Sequence, residues 1–111
     1  MARLIVLSTC SSKKETKRIA EALVKRKLAA CVNTLPVGSI FRWKGKVHSE
    51  AEWLLLIKTR SQVFRKLKTC ILALHSYEVP EIVALGVAGG LPSYLAWIDE
   101  ETSSPATGIR N

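Results

Sequence analysis

The sequence predicts an α+β domain: a four-stranded antiparallel sheet in the chain order β-α-β-β-α-β, followed by a short extra helix. Three observations point there. Two segments, one opening at Ser12 and one at Ser61, carry apolar residues at helical spacing. A long extended stretch folds back on itself around Gly45. The chain has 111 residues, enough for one core and too few for two.

The elements follow in order. Arg3 to Thr9 reads as a strand, because Leu4 to Leu7 form a short apolar run before a serine-rich turn. Ser12 and Glu15 have the spacing of a capping box, each side chain serving the other's backbone N–H. The helix they open should reach about Lys27, burying Thr16, Ile19, Ala20, Leu23 and the stem of Lys27. Ala29 to Phe41 reads as a second strand, interrupted or bent at Pro36 and Gly38. Arg42 to Lys46 forms the hairpin turn, and Val47 to Thr59 returns as the third strand. One face of that strand is charged at His48, Glu50 and Glu52 and becomes apolar at Leu54 and Leu56. The chain's two main helices can cover one sheet face only. The second apolar patch therefore calls for a partner subunit. Ser61 is expected to cap the second helix, with Val63, Leu67, Cys70, Ile71 and Leu74 as its stripe. Glu81 to Val87 is the fourth strand, and Pro92 opens a helix over 93–100. The whole is a ferredoxin-like βαββαβ sandwich occupying residues 1–100, with 101–111 expected as a flexible tail.

Composition narrows the function classes. No stretch has the length of a membrane span and none reads as a signal peptide, so a cytoplasmic protein without a membrane partner is expected. The cysteines at 10, 31 and 70 are odd in number and include no C-x-x-C pair, which speaks against a disulfide framework and a structural zinc site. The net charge is +8, with residues 1–75 at +12 and residues 76–111 at −4. A basic domain of this fold raises nucleic-acid binding. The aromatic string that such modules present on a central strand is missing, so nucleic acid is not the expected partner. Nor is an enzyme expected, since no phosphate-binding glycine loop or nucleophile elbow is found.

Three strings become specific together: Lys27-Leu28-Ala29-Ala30-Cys31-Val32-Asn33; Trp43-Lys44-Gly45-Lys46 with Glu52 and Ile57-Lys58-Thr59; and His75-Ser76-Tyr77-Glu78-Val79-Pro80-Glu81-Ile82 with Tyr94 and Trp97. Their order and spacing resemble the CutA family over residues 3–98. The resemblance implies a homotrimer related in architecture to the PII signalling proteins and a role in tolerance of divalent metals, chiefly copper. It also marks a departure, for Ser76 stands where the family usually has proline. The fixed φ of that ring is absent, which leaves the orientation of His75 less constrained.

Candidate metal ligands are His75, Cys31 and Glu78: an imidazole for copper or zinc, a thiol for soft Cu(I), and a carboxylate to bind or orient. The plainer readings are a helix-end histidine bonding the last carbonyls and a small buried cysteine. Cys70 belongs to the core stripe, and Cys10 ends the first strand beside a polar turn. The His48, Glu50 and Glu52 row reads as a solvated or salt-bridging face. Trp43, Glu52, Lys58, Tyr77 and Trp97 match family positions and are candidates for lining a cleft between subunits, where PII-like trimers bind ligands. Lys58, in an otherwise apolar strand, needs a partner from another strand or subunit if buried.

Overall fold

A computed structural model describes residues 2–103. Its elements are β1 (Arg3–Cys10), α1 (Lys13–Lys25), β2 (Cys31–Trp43), β3 (Lys46–Arg60), a 3₁₀ turn (Ser61–Val63), α2 (Phe64–Leu74), β4 (Val83–Gly86) and α3 (Pro92–Glu101). The sheet order is β2-β3-β1-β4, antiparallel throughout. The expected chain order and ferredoxin-like fold are therefore present.

Several boundaries differ from expectation for physical reasons. β2 runs 13 residues without a break. Pro36 is tolerated because β2 is the edge strand, where alternate N–H groups have no ladder to join. The hairpin is tighter than expected. Trp43 pairs with Lys46, leaving Lys44 (φ 51) and Gly45 (φ 79) as the two turn residues, both left-handed as a type I′ turn requires. Ser61 does not cap α2: the 3₁₀ turn intervenes, the cap position is Val63, and the Ser61 hydroxyl turns to Gln62. β4 is shorter than expected and α3 slightly longer, with Pro92 in its first turn and Thr102 closing it. Glu101, expected in the tail, is thus helical. Residues 104–111 lie outside the described residues.

α1 ends differently from the expected stripe. Lys27 is exposed and left-handed (φ 58), so its stem does not join the core. Leu28 N–H reaches Leu23 O at 2.9 Å and Lys27 N–H reaches Val24 O at 3.1 Å. This is a Schellman ending with lysine at the position glycine usually fills.

Alternation sorts the sheet into two faces. Val6, Leu55, Ile57 and Thr59 face α1 and α2, and meet Ile19, Leu23, Leu67 and Ile71 in the core. The opposite face carries Ile5, Leu7, Leu35, Leu54, Leu56, Val83 and Leu85, joined across the strands by the register. α3 covers one end of that face. There Arg3 forks onto Asp99 (2.6 and 3.1 Å), Arg60 bonds Thr102 (2.7 Å), and Ile98 is buried apart from the main core. The rest of the face stays open, with Leu35, Val83 and Leu85 at 39 to 51% exposure.

Candidate metal centre

Topology brings the first chemistry-bearing cluster together. β1 ends where α1 begins. β4 runs antiparallel to β1, so the segment between α2 and β4 must return to that same end of the sheet. His75 stands at this return, with extended backbone (φ −82, ψ 141) that turns the chain off α2. Its ring points inward, its side chain wholly buried, between the end of β1 and the first turn of α1.

The ring's hydrogen bonds fix its tautomer. Tyr77 N–H donates to Nδ1 at 3.0 Å, so Nε2 carries the proton and donates to Thr9 O at 2.7 Å. The carbonyl it finds belongs to β1, not to the last turn of α2 as the plainer reading has it. On one side the Cys10 thiol lies 3.6 Å from Nε2. On the other, Glu15 Oε2 lies 3.3 Å from Nδ1. Cys10, Glu15 and His75 each place a ligand atom within 4.8 Å of the others, and they form the one such group among the described residues.

Ser76 explains how Glu15 comes to be there. Ser12 accepts the Glu15 N–H at 3.1 Å, so half of the capping box forms. The Glu15 carboxylate does not return to Ser12. It accepts the Ser76 N–H at 2.9 Å and the Ser76 hydroxyl at 2.8 Å. A proline at 76 could supply neither donor. The turn is held by two hydrogen bonds in place of a ring.

Electrostatics follow the geometry. Burial pushes the Cys10 thiol above its ordinary value; the charges of Glu15 and Glu52 add to this, while a Thr16 hydrogen bond and Arg18 oppose it. At Glu15, burial acts upward but is outweighed by the two Ser76 bonds, His75 and Arg18, so its carboxyl sits below the usual range. The donor set at rest is therefore a protonated thiol, a carboxylate and an imidazole whose Nδ1 accepts from Tyr77. Sulfur, oxygen and nitrogen in that combination suit borderline and soft ions such as zinc and copper. Neighbouring donors on a tetrahedral ion with bonds of about 2.0–2.3 Å stand roughly 3.3–3.8 Å apart, so the three donors, now within 4.8 Å of one another, would close in on an ion. Cys10 and Glu15 approach different ring nitrogens, so one ion would take one nitrogen and displace the hydrogen bond now made there.

The structure distributes the other sequence candidates. Cys31 is not in this cluster: its thiol lies 3.8 Å from Asn33 Oδ1 on the open sheet face. Lys58 shares that neighbourhood and donates to Asn33 Oδ1, so its partner comes from an adjacent strand and is an amide, not a carboxylate. Glu78 is exposed and lines a groove of about 800 Å³ with Trp43, Glu52, Tyr77, Phe41 and Glu81. In the groove Tyr77 donates to the buried Glu52 at 2.5 Å. Burial, then the bond to Glu52 and its charge, push the Tyr77 phenol well above its ordinary value. Trp97 stands apart on α3, against Tyr94. His48 stacks on Phe41 across the hairpin, and among the described residues its row with Glu50 and Glu52 forms no three-donor group. His75 stands among the ligand candidates of the sequence, whereas Cys10 stands there as a strand-end thiol and Glu15 as a cap; the fold brings the three together. The signal that could have found them is the topology itself, which returns the residue after α2 to the end of β1.

Known proteins share this chain's sequence and fold. The family model described as CutA1 divalent ion tolerance protein matches residues 4–101. A divalent-cation tolerance protein CutA from Thermus thermophilus is 50% identical over 99 residues, covering 88% of this chain and 96% of that protein. Protein CutA from Mus musculus is 44% identical over 97 residues, which is 86% of this chain but 55% of the mouse protein. Among solved structures, a Thermus thermophilus divalent cation tolerance protein superposes with a TM-score of 0.89 at 49% identity, covering 91% of this chain and 99% of that one. The Archaeoglobus fulgidus protein, described as periplasmic, gives 0.89 at 40% identity over 91% and 99% of the two chains.

Proposed function

The chain belongs to the CutA1 divalent ion tolerance family, and from that premise we propose that it is a cytoplasmic homotrimer that takes up a copper ion at Cys10, Glu15 and His75. The observation that carries this reading is the convergence of three chemically different donors within 4.8 Å in a buried corner. Thiolate and imidazole favour copper over harder ions, and Cu(II) heads the divalent affinity order for such ligands. The ion is cargo or signal here, so the reading assigns binding and no catalysis.

What this chain's residues would do follows from their present bonds. Binding displaces the Cys10 proton and one hydrogen bond of the His75 ring. Glu15 is already ionised and held in place by Ser76. A trimer is supported by the open sheet face, where Leu35, Val83 and Leu85 are exposed beside Leu54 and Leu56. Three unpaired cysteines suit a reducing compartment. Among the described residues no helix is long and apolar enough to cross a membrane.

The test is a copper titration against a competing chelator under reducing conditions, on wild type, Cys10→Ala, His75→Ala and Cys31→Ala. The reading expects stoichiometric binding by wild type and Cys31→Ala, and loss of at least tenfold in affinity for the other two. Retained affinity in Cys10→Ala, or loss in Cys31→Ala alone, would move the site elsewhere. Sedimentation equilibrium on the same samples should give three times the chain mass.

A further inference from the structure

The charge of this protein is not spread over its surface. Residues 13–27 and 64–74, which form α1 with its C-terminal turn and α2, hold 10 of the 17 Lys/Arg and 2 of the 9 Asp/Glu. They carry the whole net charge of +8, and the remainder, with 7 of each sign, is neutral. The two helices lie side by side on one face of the sheet. Their apolar stripes are spent on the core, and all ten cations are exposed, with Arg18 bonding Leu74 O at 2.8 Å and Arg26 bonding Cys70 Sγ at 3.1 Å across the helix pair. Of the two acids, Glu15 is folded inward onto Ser76, which leaves Glu21 alone on the outer surface. Among the described residues Arg3–Asp99 is an ion pair and Glu15 lies beside the His75 ring, and neither contact involves a helix cation. A face built only for solubility usually mixes signs and pairs them at i, i+4.

We propose that the outer face of α1 and α2 docks the phosphate backbone of duplex nucleic acid without reading its sequence. The extent of the face argues for a polymer. α1 has 13 residues, so its cations are strung over about 20 Å, a span in which a duplex offers roughly a dozen phosphate charges. A small anion would meet only one or two of them. The apolar content argues against a lipid surface. Val24 and Leu72 are the exposed large hydrophobics on these helices, too few to seat an apolar face in the headgroup layer. Sequence readout is not expected, because no aromatic side chain stands exposed among the cations. This surface is opposite the open sheet face and so apart from the proposed trimer contacts; it borders the candidate metal centre, whose Glu15 lies in the first turn of α1, which is why the test is run without metal.

The test is fluorescence anisotropy with an arbitrary duplex in the presence of EDTA. Two variants carry the same change in charge: Lys17→Glu/Lys25→Glu on the helix face and Lys44→Glu/Lys46→Glu at the hairpin. Each is used after its melting curve and oligomeric state match wild type. If about five phosphates are engaged, affinity should fall roughly 500-fold for a fourfold rise in salt. The helix pair should weaken binding at least tenfold, and the hairpin pair by less than threefold. Absent binding, or equal losses in the two variants, would overturn the proposal. So would anionic phosphatidylserine vesicles that bind wild type more tightly than duplex and lose it with the helix pair, since the surface would then be a membrane one.

Discussion

Tyr77→Phe isolates one hydroxyl whose contribution can be worked out beforehand. The Tyr77 O–H donates to Glu52 Oε2 at 2.5 Å, and Glu52 is 7% exposed. Phenylalanine keeps the ring against His75, where the centroids are 4.7 Å apart, and deletes only the donor. A hydrogen bond to a charged acceptor contributes about 1.5–3 kcal/mol. The groove is open on one side, so water can recover part of it, and the lower part of that range applies: about 1.5–2 kcal/mol. In urea, with m about 1–2 kcal/mol/M, the midpoint should fall by roughly 1 M at unchanged slope. Protein concentration must be held fixed, since a self-associating chain has concentration-dependent stability. A double-mutant cycle with Glu52→Gln should return a coupling of about 1 kcal/mol or more. A Tyr77→Phe variant within about 0.5 kcal/mol of wild type, or a cycle with no coupling, would refute the argument that this bond stabilises the buried carboxylate.

Other expectations follow from the same geometry. Lys27→Gly relieves the left-handed backbone at the end of α1 and should raise stability by about 0.5–1 kcal/mol in urea denaturation. Ser76→Pro follows a residue, His75, that is already extended as proline prefers, yet it removes both donors to Glu15; the expected net cost is about 1–2 kcal/mol. Because the folded-state carboxyl of Glu15 lies below its usual value, its stabilising contribution is full above the usual titration range and is lost as pH falls through the lowered value. Urea midpoints at about pH 3 to 6 should therefore decline less steeply on acidification in Ser76→Pro than in wild type. Copper affinity should rise by up to tenfold per pH unit from about pH 7 to 9, because burial keeps the Cys10 thiol protonated and binding must release that proton. A flat profile in a buffered competition titration would remove Cys10 from the site.

Much of the fold can be read from the residues because its signals are local. The stripes of α1 and α2 and the apolar half of β3 are periodic, and each lies where periodicity puts it. Misreadings arise where context overrides a local rule. Pro36 signals a break only if the strand is central, and strand order is a tertiary fact. Ser61 has the residue type of a cap, but β3 continues to Arg60 and Ser61 N–H pairs with Ala2 O, which delays the helix. The candidate metal centre divides the same way. His75 is visible through its motif. Glu15 is hidden because a capping box explains it locally, and its carboxylate leaves that box only when Ser76 arrives from 61 positions away. Cys10 looks like a strand-end thiol until the end of α2 is folded over it.

Anomalous diffraction from a crystal of the copper-loaded protein, measured at the copper edge, would locate the ion itself. One strong peak is expected in each chain at bonding distance, about 2.0–2.3 Å, from Cys10 Sγ, a His75 ring nitrogen and a Glu15 carboxylate oxygen. A peak at Cys31 or Glu78 with the Cys10 corner empty would contradict that expectation.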